Sequence, residues 1–262
     1  MSDLKRPALR YYGGKWKSAP RIIKMFPPHE IYVEPFGGGA SILLRKERSF
    51  SEIYNDINSD VVRYFRVLRD YPNALISKIA LTPLSREEFD TSRTNGNDVD
   101  EVEFARRFFV RSWLSIMGVG GVIAGSTSFR RYKLSNNDHL VPNEDDLYAV
   151  ADRLMGVLIE HLDFEECIRK YDSDKTLFYI DPPYYGKCGD DYRSKVTEED
   201  HIRLAKKLEG IKGYACISGI QSDLYDRLYE YWKDIELPSQ NARGNVKIEK
   251  LWMNYELEND NV

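Results

Sequence analysis

The run Leu177-Phe178-Tyr179-Ile180 is apolar without interruption and ends at Asp181-Pro182-Pro183. An unbroken apolar stretch of this kind reads as a strand buried on both faces, as in a parallel sheet covered by helices. The two prolines fix φ and remove two backbone donors, so the strand must stop there. Other segments obey the same rule. Ile31-Tyr32-Val33-Glu34 is a strand candidate closed by Pro35-Phe36-Gly37-Gly38-Gly39, and Ala40 to Lys46 behind it has helix-forming composition. Ile53-Tyr54-Asn55 runs into Asp56, and Val61, Val62, Phe65 and Leu68 space out a helix from Ser59 to Leu68. After the proline pair, Thr197 with Asp200 marks a capped start for a helix over 197–209. Tyr214 to Ser218 reads as another buried strand, followed by a helix over 221–231. Strand-like stretches at 235–237 and 247–254 flank the polar loop SQNARGN. This alternation predicts an α/β fold with a doubly wound, Rossmann-like sheet.

Residues 71–156 break the pattern. They are mostly helical, most clearly from Val102 to Met117 with Phe104, Phe108, Phe109 and Trp113 inward, and then pass into a Gly-, Ser- and Thr-rich stretch from Gly118 to Ser128. The expected organisation is a sheet domain made of 1–70 and 157–262, with 71–156 as a mainly helical insertion. Histidines 29, 139, 161 and 201 share no metal-ligand spacing. Cys167, Cys188 and Cys216 are odd in number and lack a CxxC pair, so neither a disulfide framework nor a metal is expected. No apolar run approaches the roughly 20 residues of a membrane span, and MSDLKRPALRYYGGK is no secretory leader. A cytoplasmic chain is expected.

The net charge of −4 excludes a uniformly basic surface, but the charge is unevenly placed. Residues 1–24 hold seven Lys or Arg against one acid, and 104–133 hold six (Arg106, Arg107, Arg111, Arg130, Arg131, Lys133) against none. The flanks reverse this, with seven acids in 85–103 and nine in 134–166. Two basic blocks in an acidic body could line a groove for an anionic polymer; solvated helix faces would give the same pattern.

The glycine turn behind Glu34 suits a nucleotide-like ligand, because glycine lets backbone approach where a Cβ would clash. Asp56 lies 19 residues after Gly37, near the spacing of about 20 at which an acid reaches ribose hydroxyls in dinucleotide sites. Ile42 stands where a third glycine of GxGxxG should be, so the phosphate-cradling turn is incomplete. An adenosine ligand without a pyrophosphate, such as S-adenosylmethionine, has less need of it. Asp181-Pro182-Pro183-Tyr184 then offers a carboxylate and a carbonyl oxygen, two acceptors for the N–H bonds of an amino group. An aromatic face stands beside them on which a base could stack.

With these motifs in view, the chain resembles the Dam-type (α-group) adenine-specific DNA methyltransferases over nearly its full length. The motifs follow the family's order: Leu9-Arg10-Tyr11-Tyr12-Gly13-Gly14-Lys15, Val33 to Gly39, Asn55-Asp56-Ile57-Asn58, a helical target-recognition insertion, Leu162-Asp163-Phe164, and Tyr179 to Tyr184. The resemblance implies methyl transfer from S-adenosylmethionine to the 6-amino group of a flipped adenine in DNA, expected to be double-stranded. It implies cofactor contacts from Tyr11, Lys15, Glu34, Phe36, Gly37, Gly39, Asp56, Asp163, Phe164 and Asp181. Asp181 and Pro182 would hold the target amino group and Tyr184 would stack on the base. Arg106, Arg107, Arg111, Arg130, Arg131 and Lys133 would meet DNA, mostly at phosphates.

Where GATC-methylating relatives carry an Asn-Arg-x-Gly-Tyr-Asn-Gly-like segment, this chain has Ser115-Ile116-Met117-Gly118-Val119-Gly120-Gly121. The resemblance therefore does not extend to a target sequence. Two other readings remain open. One is a relative acting on the cytosine 4-amino group or on RNA adenine; the other is a non-catalytic DNA-binding relative. A monomer is expected, with a restriction endonuclease as a candidate partner.

Overall fold

The computed structural model describes residues 4–93, 99–120, 128–129, 141–186, 196–240 and 246–257. Among the described residues, seven strands form one sheet: β1 (Ile31–Glu34), β2 (Ser51–Asn55), β3 (Leu158–Glu160), β4 (Thr176–Ile180), β5 (Tyr214–Gly219), β6 (Lys233–Gln240) and β7 (Val246–Met253), in the order β3-β2-β1-β4-β5-β7-β6. The first five run parallel, whereas β7 is antiparallel to both β5 and β6. This is the Rossmann-like sheet expected of the sequence.

Side-chain alternation decides which face each helix covers. Tyr32, Tyr54, Leu177, Tyr179 and Cys216 point to one face and Val33, Ile53, Phe178, Ile180 and Ile217 to the other. The first face is covered by α1 (Ala19–Ile23), α2 (Ser41–Arg45), α3 (Ser59–Asp70), α4 (Pro72–Ala80), α6 (Glu101–Leu114) and α7 (Glu144–Leu154). The second is covered by α8 (Phe164–Tyr171), α9 (Glu198–Glu209) and α10 (Asp223–Leu228). The short α5 (Arg86–Ser92) packs on α6 through Phe89, Val110 and Leu114. The start of α9 is the expected capping box, with Thr197 and Asp200 each accepting the other's backbone N–H.

Most of the helical region between β2 and β3 is continuous with the core. Ile76, Phe108, Phe109, Trp113, Leu147 and Val150 share one apolar cluster with Tyr32 and Tyr54 of the sheet. A buried ionic tie adds to this. Arg153 of α7 donates to both carboxylate oxygens of Glu52 on β2 (2.5 and 2.9 Å) and to the Leu43 carbonyl of α2 (2.6 Å), while Lys46 Nζ reaches Glu52 Oε1 at 2.7 Å. Among the described residues, no helix is long and apolar enough to cross a membrane.

Candidate active site

The strand order reverses on either side of β1, and a cavity opens at the carboxyl ends of β1, β2 and β4, where open α/β sheets bind ligands. Glu34, Asp56 and Asp181 close these strands and all three line it.

One wall is the turn Phe36 to Gly39. Its glycines answer to the protein's own rings. A Cβ on Gly37 would lie 2.2 Å from Cε2 of Tyr54, and one on Gly39 would lie 2.9 Å from Cβ of Tyr11. Gly38 sits at φ +47° and Ala40 at φ +54°, so the turn passes through the left-handed region before α2 begins. The Tyr54 hydroxyl donates to the Gly38 carbonyl at 2.7 Å. Approach of a ligand, the reason offered by the sequence, is thus not what these positions first require. Asp56 is held by the same turn: Oδ2 accepts from the Gly38 amide and Oδ1 from the Asn58 amide, each at 2.8 Å. Burial raises the Asp56 pKa above its ordinary value, and the two amides offset part of that rise.

A second wall joins distant parts of the chain. Tyr11 bridges to Val119, the Tyr12 amide donates to the Val119 carbonyl (2.8 Å), and the Val119 amide donates to the Arg10 carbonyl (3.0 Å). The Arg10 guanidinium caps the end of α6 by donating to the carbonyls of Ser115 (2.9 Å) and Ile116 (2.8 Å). The segment that follows α6 therefore contributes Gly120 to the cavity lining beside Tyr11.

At the end of β4, Asp181 Oδ1 accepts from the Ser218 hydroxyl of β5 at 2.7 Å and lies 3.0 Å from Lys15 Nζ. The same ammonium donates to the Tyr184 hydroxyl and sits 4.8 Å from the centre of that ring. Among the described residues, no hydrogen bond reaches Asp181 Oδ2, and its side chain is 19% exposed. The Glu34 carboxyl is fully buried; its Oε1 accepts from the Tyr32 hydroxyl (2.8 Å) and the Leu43 amide (2.7 Å). Burial pushes its pKa up to about 8, against these two donors.

This geometry can hold a cationic, hydroxyl-bearing ligand against Glu34 and Asp56 and present an acceptor pair next to it. Residues 11–244 match the family model of the D12 class N6 adenine-specific DNA methyltransferases.

The chain belongs to this family.

It is an adenine-specific DNA methyltransferase. Curated relatives agree. It is 26% identical to the type II methyltransferase M.MjaIII of Methanocaldococcus jannaschii, over 95% of this chain and 99% of that one. It is 25% identical to the type II methyltransferase M1.LlaDCHI of Lactococcus lactis subsp. cremoris, over 91% of this chain and 89% of the relative. Against the DNA adenine methylase of Escherichia coli K12 it is 25% identical over 79% of this chain and 76% of the relative.

In this methyltransferase the expected site residues fall into groups. Tyr11, Lys15, Glu34, Phe36, Gly37, Gly39, Asp56 and Asp181 all line the cavity. Phe164 and Asp163 stand one layer away. Phe164 stacks on Phe36 (ring centres 5.4 Å apart), and Asp163 caps α8 through the Glu165 amide (2.9 Å). Tyr184 is 4% exposed, so a base could stack on it only after its ring is uncovered.

The arginines of α6 are not gathered on one open face. Arg106 is paired with Glu103 and Glu88 (both 2.7 Å) and its side chain is 11% exposed. Arg107 also pairs with Glu103 (2.9 Å), and Arg111 donates to the Ser92 carbonyl. Arg130, Arg131, Lys133, Cys188, His139 and the loop 241–245 lie outside the described residues. Among the described residues, no cluster of His, Cys, Asp or Glu could hold a metal ion.

Ser218 had no role in the sequence reading. The signal was present: a hydroxyl at the carboxyl end of a buried strand, YACIS, beside the strand that ends in Asp181. The dependence of Gly37 on Tyr54 left no local trace.

Proposed function

We propose that the cavity takes S-adenosylmethionine and that Asp181, Pro182 and Tyr184 receive an adenine turned out of DNA. The observation that carries the reading is Asp181 at the rim of the cavity, with Oδ1 tied to Ser218 and Lys15 and no hydrogen bond to Oδ2 among the described residues. The residues fit the donor: three acidic side chains, a lysine and a glycine turn with an aromatic ring match a ligand bearing cations, a carboxylate, ribose hydroxyls and a base. When bound, S-adenosylmethionine supplies a methyl group on a sulfonium, already a good electrophile.

The protein's own part is orientation and charge. The amino nitrogen of adenine is a poor nucleophile because its lone pair is delocalised into the ring. Asp181 Oδ2 and the Pro182 carbonyl accept its two N–H bonds, which favours a tetrahedral nitrogen and aligns the lone pair for attack. The Asp181 carboxylate then meets the positive charge that develops on nitrogen, before a proton is lost. Ser218 and Lys15 keep the carboxylate from rotating. Turning the base out costs a few kcal/mol.

On this reading 71–156 forms the helical part that grips DNA, with Arg130, Arg131 and Lys133 as its phosphate contacts, while Arg106, Arg107 and Arg111 are engaged within the helical layer. Two relatives are named type II methyltransferases. By that likeness we propose that the enzyme works beside a companion restriction endonuclease; from the sequence we propose a cytoplasmic monomer. The test is transfer of labelled methyl to unmethylated genomic DNA, with RNA as control, followed by digestion to nucleosides. Label in N6-methyladenine from DNA is expected. Label on cytosine alone, or in RNA alone, overturns the reading.

A further inference from the structure

Glu34 is unusual among the acids of the cavity. Asp181 is compensated by Lys15, and each Asp56 oxygen accepts a backbone amide. Glu34 is 2% exposed, and both of its hydrogen bonds fall on Oε1. Among the described residues no cation pairs with it. Lys15 is committed to Asp181 and lies near Glu249, and Lys46 is committed to Glu52. The charged and titratable groups around it are Tyr32 on its own strand, Tyr54 and Asp56 from β2, Lys46 beyond α2, Asp181 and Tyr179 from β4, and Lys15. A buried carboxyl without a cation stays protonated or waits for a positive charge to arrive. Burial holds this one protonated up to about pH 8.

We propose that Glu34 is a charge sensor for the methyl donor: it keeps its proton in the empty cavity, and gives it up when a cationic ligand enters. The site thereby favours a charged donor over an uncharged nucleoside of similar shape, and this preference strengthens as pH rises. The inference rests on the reading that the cavity takes S-adenosylmethionine, and it assigns Glu34 a selective role, not a catalytic one.

Calorimetry in buffers of different ionisation enthalpy tests it. At pH 6.5 the donor's own amino group is fully protonated, so any proton released comes from the protein. Binding of S-adenosylmethionine is expected to release about one proton, and binding of the uncharged thioether 5′-methylthioadenosine none. Glu34→Gln is expected to abolish the release and to bind the thioether as the wild type does, which also shows that the variant is folded. Difference infrared spectra of the wild type give an independent readout: the protonated-carboxyl band should be lost on adding the donor and kept on adding the thioether. Donor binding without proton release, or the same release from Glu34→Gln, overturns the proposal. Failure of both nucleosides to bind would instead sink the cofactor reading beneath it.

Discussion

Lys15 Nζ lies 3.0 Å from Asp181 Oδ1 and also holds the Tyr184 hydroxyl, so one buried ammonium from the N-terminal motif sets two residues of the Asp-Pro-Pro-Tyr site. Removing it takes the counter-charge from the Asp181 carboxylate and one hydrogen bond from the Tyr184 phenol. Lys15→Met is expected to lower the single-turnover methylation rate by about 10²- to 10³-fold, the scale of one lost preorganised contact. Asp181→Ala should abolish turnover while donor binding survives in part. Rapid-quench methylation together with equilibrium donor titration checks both; full activity in either variant defeats the assignment.

Gly37 and Tyr54 form a pair that can be separated by a mutant cycle. Gly37→Ala drives a Cβ into the Tyr54 ring and should cost about 1–3 kcal/mol of stability, as overpacking does. Tyr54→Leu should recover part of that loss in the double variant. Urea unfolding of the four proteins measures the coupling, and strict additivity would mean that the ring does not set the turn.

Breaking the buried tie between α7 and β2 should be expensive. Arg153→Met leaves Glu52 with Lys46 and the Ser49 amide, so the carboxylate keeps a counter-charge, whereas removing the shared acid should cost about 3–5 kcal/mol, the scale of a broken buried pair. Glu52→Leu should lose more than Arg153→Met, because it leaves Lys46 and Arg153 buried without a counter-charge. Thermal or urea unfolding decides, and equal losses would show that no uncompensated charge is left behind.

Glu103 gives an acid limb to the stability curve. The hydrogen bond from Arg106 leads in holding its pKa at about 2, well below the ordinary 4.5. A folded pKa lower than the unfolded one adds stability that is complete above pH 4.5 and lost as pH falls towards 2. Glu103→Gln should therefore flatten the pH dependence of unfolding in that window. An unchanged slope would show that the pair contributes nothing in solution.

Arg106 allows a direct contest between two roles. Held by Glu103 and Glu88, it ties α6 to α5. Arg106→Ala should lower the melting temperature and leave the salt dependence of DNA binding unchanged, because a phosphate contact would reduce that slope by about one unit. A reduced slope would place this arginine on DNA.

The parallel core was legible because fully buried strands leave unbroken apolar runs: 31–34, 177–180 and 214–218 all fall within observed strands. Three short elements gave little to read. Strand β3 has three residues and an exposed Leu158, and α1 has five residues with a proline in its first turn. Helix α8 did carry a pattern, Phe164, Cys167 and Ile168 on one face, which reading Asp163-Phe164 only as a motif passed over. The helix ending near Met117 stops at Leu114, because the chain must extend to meet Arg10 and Tyr11. At the cavity, the residue types that line it were visible as motifs. What a linear reading could not supply was their mutual wiring: the rings that demand the glycines, the backbone carbonyls that occupy Arg10, and the counter-ions that occupy Lys15 and Arg106.

The link from Lys15 to Tyr184 spans 169 positions of sequence. On the ribosome, the lysine is made long before its partners and must wait until Asp181 and Tyr184 have emerged. Asp56 and the glycine turn can meet early, but the acceptor end of the pocket cannot close until the fourth strand is in place between the first and the fifth. A nascent chain that stops short of the fifth strand is thus left with the acceptor end of its pocket unformed.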